Sequence, residues 1–115
     1  MIFGKYSNFG ENEAVKYLKK QKYKILERNF RTKFGEIDII AEDGEIIVFA
    51  EVKQRKDERF ARAAEAVNAA KQFRIKRMAL YYAAKYRITR NIRYDVIEVI
   101  GERQPEIRHM KDAFR

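Results

Sequence analysis

Residues 35–54, GEIDIIAEDGEIIVFAEVKQ, form two runs of strand-forming residues on either side of Asp43-Gly44. An Asp-Gly pair between such runs is a strong signal for a β-hairpin with a two-residue turn. The turn fixes the register, because the numbers of opposed residues keep a constant sum. The predicted pairs are Glu42 with Glu45, Ile40 with Ile47, Asp38 with Phe49, and Glu36 with Glu51.

Side chains alternate between the two faces of this predicted hairpin. One face is apolar throughout and is expected to be buried. It carries Ile37, Ile39, Ala41, Ile46, Val48, Ala50 and Val52. The other face is charged toward the open end of the hairpin and apolar toward the turn. It carries Glu36, Asp38, Ile40, Ile47, Phe49, Glu51 and Lys53.

Asp38 and Glu51 are diagonal neighbours on the charged face, which separates their backbones by about 7 to 8 Å. Two carboxylates reaching inward from that distance can hold one divalent cation between them. Lys53 lies further along the same face, within reach of a bound phosphate or an attacking water. The alternative is that all three are solvated charges on the wet face of an antiparallel hairpin. The apolar residues near the turn argue for partial cover, and unpaired burial of even a neutral polar group costs about 2 to 7 kcal/mol.

The hairpin resembles the PD-(D/E)XK nuclease signature, and the whole chain resembles the YraN family, relatives of the archaeal Holliday junction resolvases. The segments that carry the resemblance are GENEAVKYL (10–18), ILERNFRTKFGEIDIIA (25–41), VFAEVKQR (48–55), AEAVNAAKQ (64–72) and IRHMKDAF (107–114). Ile37 stands where the superfamily signature has proline. The resemblance implies an α/β, restriction endonuclease-like fold, in which a mixed β-sheet with an αβββαβ core is flanked by helices.

The resemblance also implies roles for individual residues. Asp38 and Glu51 would be metal ligands, Lys53 would position or activate water, and Glu11 would be a further acidic member from the first helix. The expected cofactor is Mg²⁺, with Mn²⁺ as the alternative, held by Asp38, Glu51 and the backbone carbonyl of Val52. Such a metal polarises the scissile phosphate and lowers the pKa of bound water.

The predicted activity is hydrolysis of phosphodiester bonds in DNA, including branched or junction DNA, with RNA as the alternative substrate. An enzyme that cuts a junction acts on two strands, which implies a symmetric homodimer. Two other function classes remain open. One is a noncatalytic nucleic-acid-binding protein of nuclease fold, and the other is a protein-interaction subunit whose basic face meets an acidic partner.

The composition favours a polyanionic partner, because 26 Lys and Arg residues against 17 Asp and Glu give a net charge of +9. The cations concentrate between Lys53 and Arg93. The residues concerned are Arg55, Lys56, Arg59, Arg62, Lys71, Arg74, Lys76, Arg77, Lys85, Arg87 and Arg90. Phosphate contacts by such groups would weaken steeply with salt. A basic surface that serves solubility alone is the alternative.

The length of 115 residues predicts a single domain over residues 1–115. There is no cysteine and His109 is the only histidine, so disulfides and structural zinc are excluded. No stretch approaches the ~20 apolar residues of a membrane span, and the start lacks signal-peptide organisation. A cytoplasmic protein without a membrane partner is therefore expected.

A first helix is predicted to begin at Asn8, with Ala14, Tyr17 and Leu18 on its apolar side. Asn8 followed by Glu11 is a capping-box pattern, which offers Glu11 a structural role instead of a catalytic one. Residues 23–31 are predicted to form an edge strand.

A long helix is predicted to start at the cap Asn68 and end near Tyr86. Its expected buried stripe comprises Ile75, Met78, Ala79, Tyr82 and Tyr86. The candidate nucleic-acid contacts are Arg55, Lys71, Arg74 and Arg77, and a helix start facing the site would add backbone donors. The alternative is an ordinary solvated helix face.

Two strands are predicted after this helix, one over residues 92–100 and a short one over residues 107–110. Asp95, in the first of them, is expected to form a structural salt bridge with a nearby arginine. His109 is expected to be structural or on the surface, since the predicted site has a lysine to handle the water.

Overall fold

A computed structural model describes residues 8–57 and 68–115 of the chain. The described residues form helices and strands in the order αβββαββ. Their bounds are α1 (Phe9–Lys20), β1 (Lys24–Thr32), β2 (Gly35–Asp43), β3 (Ile46–Arg55), α2 (Ala69–Lys85), β4 (Ile92–Ile100) and β5 (Glu106–Phe114). Arg59, Arg62 and the first four residues of the 64–72 segment lie outside the described residues.

The five strands form one mixed sheet in the order β1-β2-β3-β4-β5. Neighbouring strands are antiparallel except for β3 and β4, which are parallel. A parallel pair needs a crossover connection, and the segment that joins β3 to β4 contains α2. The predicted edge strand is confirmed as β1, while β5 is longer than the predicted 107–110.

Each face of the sheet packs against one helix through its own apolar cluster. The buried cluster on the α1 side comprises Ala14, Val15, Leu18, Tyr23, Ile39, Ala41, Val48, Ala50, Ile97 and Val99. The buried cluster on the α2 side comprises Phe30, Ile37, Ile40, Ile47, Phe49, Ile75, Met78, Ala79 and Tyr82. This α/β arrangement, a mixed sheet flanked by helices, is the predicted restriction endonuclease-like fold. No helix in the described part of the chain is long and apolar enough to cross a membrane.

The register of the β2–β3 hairpin differs by two residues from the prediction. The turn consists of Gly44-Glu45, and Asp43 pairs with Ile46 instead of lying in the turn. Gly44 has φ +59° at the first central position, as a type II′ turn requires. A slip of two residues keeps every side chain on its predicted face. It nevertheless changes which residues are opposed.

Ile37 departs from the predicted alternation. It pairs with Phe30 of β1 and packs in the α2-side cluster, whereas Ile39 packs on the α1 side. The described pairing of β2 with β3 begins only at Ile39, while the pairing with β1 continues to Gly35. The alternation is therefore interrupted around Asp38, where β2 parts from β3.

The starts of the two helices are capped differently. The side chain of Asn68 accepts a hydrogen bond from the backbone N–H of Lys71 (2.9 Å), which confirms the predicted cap of α2. At α1 the capping-box prediction is wrong, because the side chain of Asn8 makes no capping hydrogen bond within the described residues. The Asn8 carbonyl instead accepts from the N–H of Asn12 (2.8 Å). The buried stripe predicted for α2 is wrong at Tyr86, which is exposed because α2 ends just before it.

Candidate active site

Asp38 and Glu51 lie at the open end of the β2–β3 hairpin. The β2–β3 ladder ends at the pair Ile39–Ala50, so Asp38 and Glu51 lie just beyond it, where the two strands part. The two carboxyl groups are within hydrogen-bonding reach of each other. The backbone N–H of Val52 donates a hydrogen bond to Asp38 Oδ2 (2.8 Å). The hairpin therefore brings together the two acidic side chains that the sequence singled out.

The pKa values of these two groups move in opposite directions. Burial raises the pKa of Asp38 to about 8, and the hydrogen bond and negative charge of Glu51 act in the same direction. Burial opposes ionisation of Glu51 as well, but hydrogen bonds from Asp38 and Lys71 lower the pKa of Glu51. Without a cation, the pair accordingly keeps a proton on Asp38 and a charge on Glu51.

Lys71 supplies the cation that faces this charge. Its Nζ lies 2.9 Å from Oε2 of Glu51, whose side chain is only 8% exposed. The sequence predicted Lys71 as a phosphate contact and did not predict this pairing. The Asn68 cap, three residues earlier, predicted only that Lys71 lies in the first turn of the helix. The contact itself depends on how α2 crosses the sheet.

Lys53 follows Glu51 on β3 and is half-buried. Burial lowers the pKa of Lys53, and the nearby charge of Lys71 lowers it further. The amino groups of Lys53 and Lys71 are close enough to interact. Glu51 therefore has two lysines in its surroundings, of which Lys71 makes the ion pair.

Glu11 lies on the other side of Asp38. Glu11 Oε1 accepts hydrogen bonds from Arg28 Nε (2.7 Å) and Asn29 Nδ2 (3.0 Å). Glu11, Asp38 and Val52 line a small cavity of about 110 Å³. In residues 8–57 and 68–115, no group of three or more His, Asp or Glu side chains is arranged to hold a metal. Glu11 thus lies next to Asp38, but it does not form a three-carboxylate metal site with Asp38 and Glu51.

A larger cavity of about 260 Å³ opens on the α2 side of the carboxylates. Its polar lining comes from Glu36, Asp38, Glu51, Lys71 and Arg74, and its apolar lining from Phe34, Ile75 and Met78. The carboxylates thus lie at one wall, and the cations at the start of α2 lie at another. Such a space suits a phosphate group, which needs positive charge near its oxygens.

The other two predicted nucleic-acid contacts, Arg55 and Arg77, do not line this cavity. Arg77, one turn beyond Arg74, places its guanidinium carbon 4.2 Å from the ring centroid of Phe34. Arg55 ends β3, and its backbone carbonyl accepts from the N–H of Gly101 (2.9 Å). Of the predicted cations, Lys71 and Arg74 therefore line the larger cavity, whereas Arg77 lies outside its lining and contacts Phe34.

The donor set at the hairpin fits Mg²⁺ or Mn²⁺ better than zinc. Mg²⁺ prefers oxygen ligands and is usually held by one or two carboxylates, keeping several waters and binding substrate phosphate. Asp38 and Glu51 supply two carboxylates, and the adjacent cavity leaves room for waters and a phosphate. After burial, the neighbouring Glu51 carboxyl raises the pKa of Asp38, and a cation between the two groups would offset that repulsion.

Comparison with known proteins places the chain among close relatives. A model of the uncharacterised protein family UPF0102 matches residues 10–99. A UPF0102 protein of Thermodesulfovibrio yellowstonii is 46% identical over 105 residues, which cover 91% of each chain. A UPF0102 protein of Alkaliphilus oremlandii is 48% identical over 109 residues, covering 91% of this chain and 93% of the relative. The matched residues span the whole candidate site.

Proposed function

The chain belongs to the uncharacterised protein family UPF0102, and we propose that it is a metal-dependent endonuclease that hydrolyses phosphodiester bonds in DNA in the cytoplasm. The observation that carries the proposal is that Asp38 and Glu51 line one cavity together with the cations Lys71 and Arg74 from the start of α2. A cation held by carboxylates and a basic wall for phosphate are the parts that phosphodiester hydrolysis requires.

Asp38 and Glu51 would hold Mg²⁺, with the Val52 carbonyl as a further ligand. When bound, Mg²⁺ supplies charge that stabilises the phosphate in the transition state and makes water a stronger nucleophile. Lys53 orients the attacking water, and because burial lowers the pKa of Lys53, a larger fraction of its amine is neutral and free to accept a proton. Lys71 and Arg74 face the phosphate oxygens from the start of α2.

Glu11 has a positioning role in this proposal. Its carboxylate holds Arg28 and Asn29 of β1 and borders Asp38 across the small cavity. Glu11 therefore fixes the start of α1 against the edge strand next to the first carboxylate. A second water oriented by Glu11 would lie in the cavity that Glu11 shares with Asp38 and Val52.

The proposal is tested by incubating the pure protein with Mg²⁺ or Mn²⁺ and a panel of four-way junctions, flaps, duplexes, single strands and RNA. We expect metal-dependent cleavage of at least one DNA substrate. Lys53→Ala should reduce cleavage by roughly 10² to 10⁴-fold, the contribution typical of a general acid or base. Asp38→Asn, which removes a proposed metal ligand, should also reduce cleavage strongly. Glu45→Gln, an exposed acidic residue in the turn of the same hairpin, is the matched control and should cleave normally.

Three outcomes contradict the proposal. Cleavage that persists in both Asp38→Asn and Lys53→Ala would come from another source. Salt-sensitive binding without cleavage, unchanged in both variants, would identify a noncatalytic nucleic-acid-binding protein of nuclease fold. Binding of neither DNA nor RNA would direct attention to an acidic protein partner.

A further inference from the structure

An aromatic surface lies next to the larger cavity, formed by Phe34, Phe73 and Arg77, here called the aromatic platform. The Arg77 guanidinium carbon is 4.2 Å from the ring centroid of Phe34 and 5.7 Å from that of Phe73. Lys33 Nζ is 5.4 Å from the Phe34 centroid. Two aromatic rings and a guanidinium plane are thus grouped on the outer side of α2 and the β1–β2 turn.

The platform lies at the margin of the core, because Phe34 is half-buried and packs against the α2-side cluster. The buried face of α2 is formed by Ile75, Met78, Ala79 and Tyr82, whereas Phe73 is 59% exposed. Arg77 is exposed as well. Phe73 and the accessible part of Phe34, rimmed by cations, form apolar surface of the kind found at binding sites. The packing of the described residues therefore leaves the platform available to a ligand.

Phe34 connects the platform to the candidate active site. It lines the same cavity as Asp38, Glu51, Lys71 and Arg74, and its ring also contacts Arg77. A chain that places a phosphate in the cavity therefore brings its neighbouring groups to the platform. For a nucleic acid, those groups are bases.

We propose that the aromatic platform stacks unpaired bases beside the scissile phosphate, so that the substrate class is nucleic acid with single-stranded or splayed nucleotides at the cleavage site. This inference rests on the proposed function in that the ligand of the cavity is a nucleic acid. Aromatic rings and arginine planes bind any base by its face, and a nearby cationic groove follows the backbone. The bases of an intact duplex are already stacked inside it, so the platform reaches only unpaired ones.

Charge favours a nucleic acid over a second copy of the chain as the occupant. The platform contains the cation Arg77, and Lys33 and Arg74 lie beside it. The first turn of α2 has no acidic residue. Two copies joined symmetrically through this surface would bring these like charges together, which opposes association. A polyanion is attracted to the same charges.

The test compares binding of a short fluorescent single-stranded oligonucleotide with binding of the same oligonucleotide carrying abasic sites, in EDTA so that nothing is cleaved. The abasic strand keeps its phosphates and loses the stacking groups. Stacking of one base on an aromatic ring corresponds to roughly a five- to 150-fold difference in affinity. We expect the wild-type protein to prefer the intact strand within that range.

The variants Phe34→Leu and Phe73→Leu keep apolar bulk and remove the aromatic plane, so each should reduce the preference for the intact strand. The matched control is Tyr86→Leu. Tyr86 is also an exposed aromatic residue with a cation over its ring, Lys85 at 5.5 Å, but it lies at the far end of α2. The Tyr86→Leu variant should prefer the intact strand as strongly as the wild type does.

Three results would overturn the inference: equal affinity for the intact and abasic strands, an unchanged preference in both platform variants, or binding of neither strand. Sedimentation that shows a dimer in the wild type and a monomer in Phe73→Leu would also overturn it, because the platform would then join two copies. Base preference without any metal-dependent cleavage would support the platform while contradicting the proposed nuclease activity. The two proposals can therefore fail separately.

Discussion

At the residue scale, the charge balance of the candidate site depends on Lys71. Glu51 is buried and shares a hydrogen bond with Asp38, so its charge has to be offset within the protein. Lys71 offsets it from α2 at 2.9 Å, and the charge and hydrogen bond of Glu51 raise the pKa of Lys71 even though burial acts against them. A bound divalent cation would compete with this ammonium for the same carboxylate.

We predict that Lys71→Met lowers the free energy of unfolding by about 1 to 3 kcal/mol in EDTA, since it removes a hydrogen bond between charged groups. Saturating Mg²⁺ should restore more stability in the variant than it adds to the wild type, because the metal replaces the lost positive charge. Urea unfolding with and without Mg²⁺ measures both effects. Lys85→Met, an exposed lysine in the last turn of α2, is the control. An equal response to Mg²⁺ in Lys71→Met and wild type would contradict the prediction.

A second residue-scale feature is the buried carboxylate of Asp95, which is fully shielded from solvent. It accepts hydrogen bonds from Arg93 Nε (2.8 Å) and Arg93 Nη2 (2.8 Å), and from the backbone N–H of Asp112 (3.0 Å). His109 Nε2 lies 2.7 Å from Asp95 Oδ2, and Tyr17 hydroxyl lies 3.0 Å from His109 Nδ1. This network links α1, β4 and β5. It confirms the structural roles predicted for Asp95 and His109.

The network predicts a loss of stability in acid. Burial by itself would raise the pKa of Asp95, but the hydrogen bonds from Arg93, His109 and Asp112 lower it to about 2. The folded state therefore binds the proton more weakly than the unfolded state. The stabilisation is complete above the ordinary aspartate pKa of about 3.9 and is lost as the pH falls toward 2.

We expect Asp95→Asn to be destabilised by about 3 to 5 kcal/mol near neutral pH, because it leaves the Arg93 charge without its main partner. The difference from wild type should shrink by roughly 2 to 3 kcal/mol between pH 5 and pH 2. Urea unfolding across this pH range measures the difference. Glu13→Gln, which removes a surface acid paired with Lys16, serves as the control. A difference that stays constant with pH would show that the Asp95 charge is not the cause.

At the element scale, the start of α2 places three kinds of group beside the hairpin. Lys71 pairs with Glu51, Arg74 lines the cavity, and Phe73 turns outward to the platform. The Asn68 cap fixes this first turn by accepting the N–H of Lys71. The Asn68 side chain therefore both stabilises the start of α2 and fixes the backbone that carries Lys71.

Asn68→Ala should lower the free energy of unfolding by about 1 kcal/mol, the usual contribution of a helix cap. It should also reduce cleavage, because Lys71 loses the fixed backbone from which it reaches Glu51. Asn68→Ser, which retains a capping oxygen, should restore both. Asn8→Ala is the matched control: within the described residues Asn8 makes no side-chain cap, so thermal unfolding should show little change. Equal destabilisation by Asn68→Ala and Asn8→Ala would contradict this account.

At the scale of the whole molecule, the parallel pairing of β3 with β4 determines where the cations lie. The connection between these strands has to cross one face of the sheet, and α2 lies in that connection. Its start therefore lies near the end of β3, where Glu51 and Lys53 are found. The net charge of +9 is thus partly concentrated beside the two carboxylates.

This distribution predicts a salt-dependent affinity for nucleic acid. Arg74→Gln and Arg77→Gln should each reduce the slope of log affinity against log salt by about 1, with similar effects on different sequences. Lys20→Gln, at the end of α1 on the other side of the sheet, should leave the slope unchanged. Fluorescence anisotropy titrations at several salt concentrations provide the measurement. If all three variants change the slope equally, the binding charge is spread over the molecule instead of concentrated near α2.

The sequence by itself determined the strands of the hairpin, the faces of nearly all their side chains, and the nearness of Asp38 to Glu51. These features depend on alternation and turn chemistry, which are local. The register could not be decided in the same way, because a slip of two residues preserves every face. Only the tertiary structure decided the two-residue shift in register, brought Lys71 to the carboxylates, turned Glu11 toward Arg28 and left Phe73 exposed. Each of these depends on how elements distant in sequence pack against one another, and no local pattern encodes that.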